Sequence, residues 1–582
     1  VIVQEGDRWQ VAAGWAESVE ANDPAIPDTV QGVLAARIDL LTPAERDILR
    51  HASVIGRTFW PSALMGIADH LTWEQLDEGL HSLIARDMIT PATNPSQVDD
   101  PFRADEPRYL FKHPLTRDVV YEAMPRARRA HEHEHFAAWL EEFAAGREEE
   151  YAELLARHYE EYYRQANLAR SRDTERRRAV RAKVVLYQEM AGDEAMIRQA
   201  TGAAVRAYAH AIALLLEDGE TAKSEFRDTL VPLYAHRGDA KALRTDGAGA
   251  FADYRAALQI WQASPTQEWT PAEDRTNGMR LYRRLVTLPA RYASWFRVQP
   301  APEELRGYLL AGLRLAEEAD DTDSLDYAAL LTAKSFFWWS WPQGREQDQM
   351  RDALHSAEEA VAIAERAGAA REASEALDAL GNLQATATDL CGFLASQTRR
   401  LFWAARIDDR NEIVDIHNEV SVAHQMVGEF GQAVEHARYG LARAEEIEND
   451  ILRAQSLQRL VVTYYEWDHW TSAINDGEQF MQVAARTPLI TQNHYHWGVL
   501  AYAVALLRTG RVDRADKVIQ HLDELPPLSS ASQYVPLFRA RMQIARGNLA
   551  EAEPILRAAL EIGAGRHSYP AVLAELAELG AR

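Results

Sequence analysis

Cysteine is all but missing from this sequence: Cys391 stands alone in 582 residues. No disulfide can close within the chain, so a stapled secreted scaffold is excluded and a reducing, cytoplasmic setting is expected. No apolar run approaches the roughly 18 residues that a membrane-spanning helix needs. The phosphate loop G-x-x-x-x-G-K-[ST] is also absent. The stretches DGAGAF and EIGAGRH have glycines but lack the Lys and the hydroxyl that follows it. Positive charge is short as well, with 63 Lys and Arg against 88 Asp and Glu and a formal net charge of −25. Such a field repels phosphate backbones and anionic lipid, which argues against nucleic acid or a membrane as the partner of the whole molecule. The opening VIVQEGDRWQV has no initiator Met, no basic start and no apolar leader, so a piece of a longer polypeptide is expected.

What is present is helical and repetitive. Apolar residues at 47% and charged residues at 26% are ordinary for folded chains. The length exceeds a single core unless the core grows along one axis, as in a repeat array. In VPLFRARMQIARGNLAEAEPILRAALEI, Gly547 closes one helix and Leu549 starts the turn. Ala552, Leu556, Ala559 and Leu560 then line one face of the next helix. Small residues there let helices approach, and large ones fill the groove. This is the tetratricopeptide spacing.

The grammar recurs at Gly510, Val512, Ala515 and Ile519, and at Gly428, Phe430, Ala433, Ala437 and Leu441. Asp468, Trp470, Ala473 and Phe480 occupy the corresponding slots between them. From Gly428 to Asp468, Gly510 and Gly547 the steps are 40, 42 and 37 residues, longer than the usual repeat of about 34. Further back, Leu380-Gly381 fits a first helix, and Ala353, Ala357 and Ala360 fit a second. Gly238 pairs with Ala250, Tyr254 and Ala257 across extra residues, and 203–215 reads as an early repeat. Strand signals are nearly absent from 136 onward, so a mainly α fold is expected, with a tetratricopeptide-like α-α superhelix over 136–582.

The pattern differs over 42–113. Thr42, Pro43 and Glu45 form a strong helix start. Helices follow around PSALMGIAD and TWEQLDEGLHSLIARD, and the extended runs DMITPAT and RYLFKH flank the polar loop 94–107. Three helices and a hairpin are the winged-helix order, which assigns 42–135 to that domain. DNA-reading winged helices present basic or amide side chains. Here the third helix carries Glu74, Asp77, Glu78 and Asp87 against Arg86, so a protein-packing role is expected.

Two stretches carry a family resemblance: IPDTVQGVLAARIDLLTPAERDILRHASVIGRTFWPSAL and YLFKHPLTRDVVYEAMPRARRAHEH. They resemble the segment after the ATPase core in bacterial STAND-type signalling ATPases. That group includes AAA-type regions fused to class III adenylate or guanylate cyclases, and large LuxR-type transcriptional regulators. The resemblance implies that residues 1–41 are the tail of an ATPase module and a linker helix, and that the nucleotide core lies N-terminal to this chain. It also implies ATP or ADP as a cofactor of the parent protein and none in this chain. No catalytic residue is expected here. The chain would act as a regulatory arm that binds a protein, a peptide or a small-molecule inducer. Alternatives are a winged-helix DNA-binding regulator, or part of a class III cyclase whose catalytic domain lies elsewhere.

His113 in FKHPLTRD resembles the Met-His-Asp motif of related ATPases, whose His reaches the β-phosphate of ADP; Lys112 and Pro114 replace its neighbours. An imidazole at a strand end can donate one hydrogen bond to a phosphate oxygen. The bland reading is a His that caps the next helix. HEHEH matches H-E-x-x-H through His131, Glu132 and His135. No third His follows at metzincin spacing, and the nearby carboxylates Glu148 to Glu150 mean little in so acidic a chain, so no metal site is assigned. In FFWWSWP, the adjacent rings Phe336, Phe337, Trp338, Trp339 and Trp341 cannot all share one helical stripe. Phe337, Trp338, Trp339, Trp341 and Trp403 are therefore the candidate ligand-facing residues, with Trp467 or Trp470 beside them. Packing between repeats is the competing reading. The basic stretch RSRDTERRRAVRAK reads as a solvated helix face.

Overall fold

Local capping chemistry sets where helices begin. Thr42 Oγ1 accepts from the Glu45 amide at 3.2 Å, and the Glu45 carboxylate accepts from the Thr42 amide at 2.7 Å. The same reciprocal box recurs at Thr72 with Gln75 and at Thr270 with Glu273. The computed structural model describes residues 2–5, 8–11, 28–68, 70–92, 106–169, 173–219, 222–263, 265–266, 269–341, 347–407, 409–487, 493–523 and 535–563. Most of the loop 94–107 and the C-terminal stretch from 564 lie outside them. Packing divides the chain into two compact units, Val1–Glu217 and Asp218–Arg582.

In the first unit, β1 (Ile2–Glu5) and β2 (Arg8–Val11) pair antiparallel, with Ile2 opposite Val11. Helix α1 (Asp28–Asp39) leads to α2 (Pro43–Ile55), strand β3 (Thr58–Phe59), α3 (Pro61–Ile67) and α4 (Trp73–Ala85). Strands β4 (Ile89–Pro91) and β5 (Tyr109–Phe111) complete an antiparallel sheet of order β3-β5-β4. The two extended runs form as expected. The third strand, only two residues long, is too short to leave a pattern in sequence. Ile48, Leu49, Ala52, Phe59 and Leu83 are fully buried between these helices and the sheet.

Four long helices follow α5 (Pro114–Glu122): α6 (Arg126–Ala144), α7 (Glu148–Leu168), α8 (Thr174–Ile197) and α9 (Thr201–Leu215). From α6 onward each packs on the next.

The second unit is a run of helix pairs. After the single turn Ala222–Glu225 come α10 (Arg227–Leu243) with α11 (Gly247–Ala263), and α12 (Pro271–Arg291) with α13 (Pro302–Glu318). Next are α14 (Leu325–Ser340) with α15 (Gln347–Arg366), and α16 (Ala370–Thr386) with α17 (Leu390–Ala404). Then come α18 (Arg410–Met426) with α19 (Phe430–Glu446), and α20 (Asp450–Glu466) with α21 (Trp470–Ala484). The run ends with α22 (Asn493–Arg508), α23 (Val512–Asp523), α24 (Val535–Ala545) and α25 (Leu549–Gly563). No strand occurs among the described residues from 136 onward, and none of their helices is long and apolar enough to cross a membrane.

Hydrogen bonds reveal the repeat directly. Arg371 bonds Asp409, Ser374 bonds Glu412, Asn449 bonds Asn411, Ser456 bonds Asn418 and Arg438 bonds Asp476, every pair separated by 38 residues. Helix starts repeat every 40 residues (Ala370, Arg410, Asp450), and a bond offset that stays at 38 from pair to pair requires consecutive pairs to superpose by a constant step, the defining property of a solenoid. The turns agree. Thr388, Gly428, Asp468, Gly510 and Gly547 all take φ between 58° and 84° at the ends of first helices, the left-handed C-terminal cap.

Gly238 is not such a turn. It lies inside α10, and the turn falls at Thr245, with φ 58°. Its role is close approach: a Cβ there would stand 2.4 Å from the Tyr254 ring, whose hydroxyl donates to Asp239 at 2.8 Å. Gly192, Asp193 and Tyr208 repeat this arrangement in the first unit, with the same 2.4 Å approach and a 2.6 Å hydrogen bond. The repeat region is thus a tetratricopeptide-like helical array.

Candidate functional site

The residues that gather most chemistry sit where α12 ends. Pro289 lies inside this helix and cannot donate a backbone hydrogen bond, which loosens its last turn. Tyr292 then leaves the helix at φ −113° and ψ 52°, and Arg291 is left pointing into the array. Its Nε donates to Asp378 Oδ2 at 2.9 Å, and one terminal nitrogen donates to Glu412 and Asp415, both at 3.0 Å. Arg400 on α17 meets the same three carboxylates at 2.9, 3.2 and 2.9 Å. Ser374 donates to Glu412 at 2.8 Å and accepts from Arg400, while Gln397 also accepts from Arg400.

These groups are almost entirely out of water. The side chains of Arg400, Glu412, Arg291 and Asp378 are 0, 2, 3 and 4% exposed, and Asp415 alone reaches solvent at 21%. Burial pushes the Glu412 carboxyl up, yet Arg291 and Arg400 outweigh it and hold Glu412 well below the usual range. Both guanidiniums are held above their ordinary value, because the carboxylates overcome the cost of burial. Asp415 goes the other way. Desolvation raises it, and its two Arg neighbours only partly counter this. Glu375 also approaches Arg291, at 3.9 Å, so four carboxylates face the two buried guanidiniums, with Arg283 at 3.6 Å from Glu375 on the edge; Asp415 is the member most open to solvent.

Aromatic rings rim this network. The Arg291 guanidinium lies 4.9 Å from the Tyr292 ring centre and 5.7 Å from Phe336, and Tyr292 stacks on Trp295 at 4.0 Å. Trp339 and Trp341 pack against Ala290, Phe336 and Ala379, and Ser340 donates to the Ala290 carbonyl at 2.6 Å. Trp338 and Trp339 also pack against the cluster that contains the buried Trp403, and Phe337 packs against Trp341 at 5.5 Å. Phe337, Trp338, Trp339 and Trp341 thus lie together at the end of α14, while Trp403 on α17 shares the larger core and packs beside Phe402. Phe336 and Phe337 are buried, whereas Trp338, Trp339 and Trp341 are half-buried. Trp467 and Trp470 lie apart from them, the first on His469 at 4.3 Å and the second against Tyr465.

The other candidates fall in the first unit. His113 is exposed at the N-terminus of α5 and its side chain makes no capping hydrogen bond. Lys112 beside it pairs with Asp87. In HEHEH, the His131 and His135 rings lie 4.0 Å apart, but Glu132 turns inward and bonds His51 at 2.9 Å. The middle residue, His133, is buried against His158 at 3.0 Å and Tyr121 at 2.9 Å. Burial lowers His133 to about 3. No three metal-binding side chains converge among the described residues. The described part of the basic stretch is tied to acidic neighbours, Arg176 to Glu134 and Lys183 to Glu141.

Arg291, Arg400, Asp378, Glu412 and Asp415 were not singled out from the sequence. A signal exists for some of them. Asp378 interrupts the apolar run in EALDALGNL, where the repeat grammar calls for a packing residue. Ser374 and Glu412 are exact 38-residue partners. Arg291 has no such mark, because nothing local links it to positions 87 to 124 residues on.

No protein-family model matches the chain, and no curated protein sequence does. Among solved structures, it is similar to a signal-transduction ATPase with numerous domains from Pyrococcus horikoshii that carries a tetratricopeptide-repeat sensor. The identity is 14% and the TM-score 0.44, over 87% of this chain and 66% of that one. This chain therefore spans just under two thirds of that protein's length. It is also similar to a Rap protein complexed with competence and sporulation factor (12% identity, TM-score 0.37, 68% and 97% of the two chains). Yeast Tom70 follows at 10% identity and TM-score 0.31, over 69% and 96%. The chain's own 38-residue hydrogen-bond ladder and left-handed turns place the helix pairs over 370–563 in the tetratricopeptide-like class of helical repeats.

Proposed function

We propose that this chain is the regulatory arm of a multidomain signal-transduction ATPase, and that its helical array binds a protein or peptide beside the rings of α14. The carrying observation is the juxtaposition of half-buried Trp339 and Trp341, with Trp338 beside them, and a buried ion network whose Asp415 reaches the solvent edge. Aromatic anchors next to a fixed charge are the composition of a recognition hot spot. A small inducer would use the same rings. No phosphate loop occurs in the sequence, so ATP or ADP would be held by a core outside it.

The first unit supports a winged-helix reading of 42–135 through its helix and strand order and its β3-β5-β4 sheet. Its α4 exposes Glu74, Asp77 and Glu78, which favours packing on a protein over reading DNA. His113, exposed and free of any capping duty, is the residue this chain would offer to a bound nucleotide.

The test is a random-peptide library panned on the purified chain and counter-selected on a Trp339→Ala/Trp341→Ala variant. Enriched sequences that bind the parent and lose at least tenfold on the variant support the proposal. No enrichment, or equal binding to both, refutes it. In the intact ATPase, His113→Ala should change the rate of ADP release, and an unchanged rate removes His113 from the nucleotide site.

A further inference from the structure

Arg291 crosses a long stretch of sequence to reach Asp378, Glu412 and Asp415, which lie 87, 121 and 124 residues further on. Its seat is built without it. Arg400 already ties the three carboxylates together, and Ser374 bonds Glu412 across the step from α16 to α18. These helices belong to consecutive pairs joined by the 38-residue ladder. Arg291 comes instead from α12, two pairs earlier, and reaches past α14. Two more tethers join the same early and late helices. Arg283 approaches Glu375 at 3.6 Å, and Asn411 donates to the Leu243 carbonyl at the end of α10 at 3.1 Å. Direct apolar contact between α12 and α16 is small, with Phe336 bridging Ala290 and Ala379, whereas α14 and α15 pack on α16 through a large buried core.

We propose that Arg291 is the latch of a conformational switch inside the unit Asp218–Arg582, clamping α10 and α12 onto α16 and α18. When it withdraws, α10 and the end of α12 swing away from α16 and α18 while α14 and α15 stay packed between them. The clamp depends on a guanidinium, because one planar fork donates to three carboxylates at once. An ammonium is a point charge and cannot span them. A vacated seat leaves the carboxylates on α16 and α18 with Arg400 as their remaining buried partner, and water can hydrate them only when the seat is uncovered. Asp415, the member that reaches solvent, is the edge at which a competing cation enters. On the reading of the array as a peptide-binding arm, an arginine side chain is the ligand chemistry that would exchange with Arg291.

The test uses the full chain with Cys391→Ser, and spin labels at Arg244→Cys and Arg410→Cys, both exposed and flanking the Leu243–Asn411 contact. Dipolar broadening should be strong in this background. It should be lost in Arg291→Ala and partly lost in Arg291→Lys, with helical circular dichroism unchanged. Millimolar methylguanidinium should restore it in Arg291→Ala, and sodium chloride at equal ionic strength should not. The double variant Arg291→Ala/Asp415→Asn separates a latch from simple repulsion: it should regain thermal stability yet stay open. If Arg291→Ala alone fails to fold, the Lys and double variants carry the same comparison.

Wild-type broadening in Arg291→Ala overturns the latch, and so does closure of the double variant or indifference to methylguanidinium. Failure of every peptide to bind would refute the functional proposal and leave these measurements untouched.

Discussion

Replacing Arg400 by Met removes the guanidinium that belongs to the wall of the ion network. Arg400 is fully buried and donates to Ser374, Gln397, Asp378, Glu412 and Asp415. Without it, three carboxylates face Arg291 alone. Breaking a buried ion pair by removing one partner costs about 3–5 kcal/mol, because the remaining charge stays buried and unpaired. Met fills most of the volume, so little of that loss comes from a cavity. The cost should appear locally, as faster native-state hydrogen exchange in the amides of α16 to α18. At about 1.4 kcal/mol per factor of ten, the acceleration should be on the order of a hundred- to a few-thousand-fold at neutral pH.

The pH dependence gives a second signature. Glu412 is held below its ordinary value, so its contribution is complete above that value and drains away as pH falls. In Arg400→Met much of this contribution is already gone, so the gap between variant and wild type should narrow on the acid side. Arg400→Met/Asp378→Leu removes one charge of each sign and should regain at least half of the loss. Exchange accelerated less than tenfold by Arg400→Met, or a gap that widens in acid, would refute the electrostatic account of this core.

His133 and His158 are both lowered by burial, the first to about 3, so they stay neutral in the folded first unit and take up protons near 6.5 once unfolded. The unit Val1–Glu217 should lose up to about 1.4 kcal/mol per pH unit through His133 as pH falls from 6.5 toward 3, and His158, lowered well below its ordinary value, adds to the loss. Thermal melts at pH 7 and 5.5 test this, and His133→Gln should flatten the slope. Gly238→Ala would place a Cβ 2.4 Å from a Tyr254 ring pinned by Asp239. Overpacking costs of about 1–3 kcal/mol should exceed the roughly 1 kcal/mol gain in helix propensity. Gly192→Ala should behave alike against Tyr208, and a raised melting temperature in either variant would contradict the close-approach role. Because α4 exposes acidic side chains, the chain should show no salt-dependent binding to duplex DNA in an anisotropy titration.

The repeat array was legible because its causes are local. Small residues at helix crossings, apolar stripes and turn residues recur at steps that a linear reading can count. Asp468 shows how far this goes, since its slot was assigned by spacing alone and it does take the left-handed turn, with φ 58°. Gly238 shows the limit. A glycine that ends a helix and one that admits a neighbouring ring look alike in sequence, and only packing against Tyr254 tells them apart. The two-residue strand β3 was invisible for a related reason, since its pairing to β5 comes from the sheet and not from its own composition.

The sequence by itself determined the helical class and the repeat grammar, because periodicity and capping act over a few residues. The tertiary structure alone decided that Arg291 meets Asp378, Glu412 and Asp415. A contact spanning more than a hundred residues depends on the accumulated rotation of several helix pairs. No local pattern encodes that sum, and the same rotation buries the charges and leaves Asp415 as the carboxylate that burial raises.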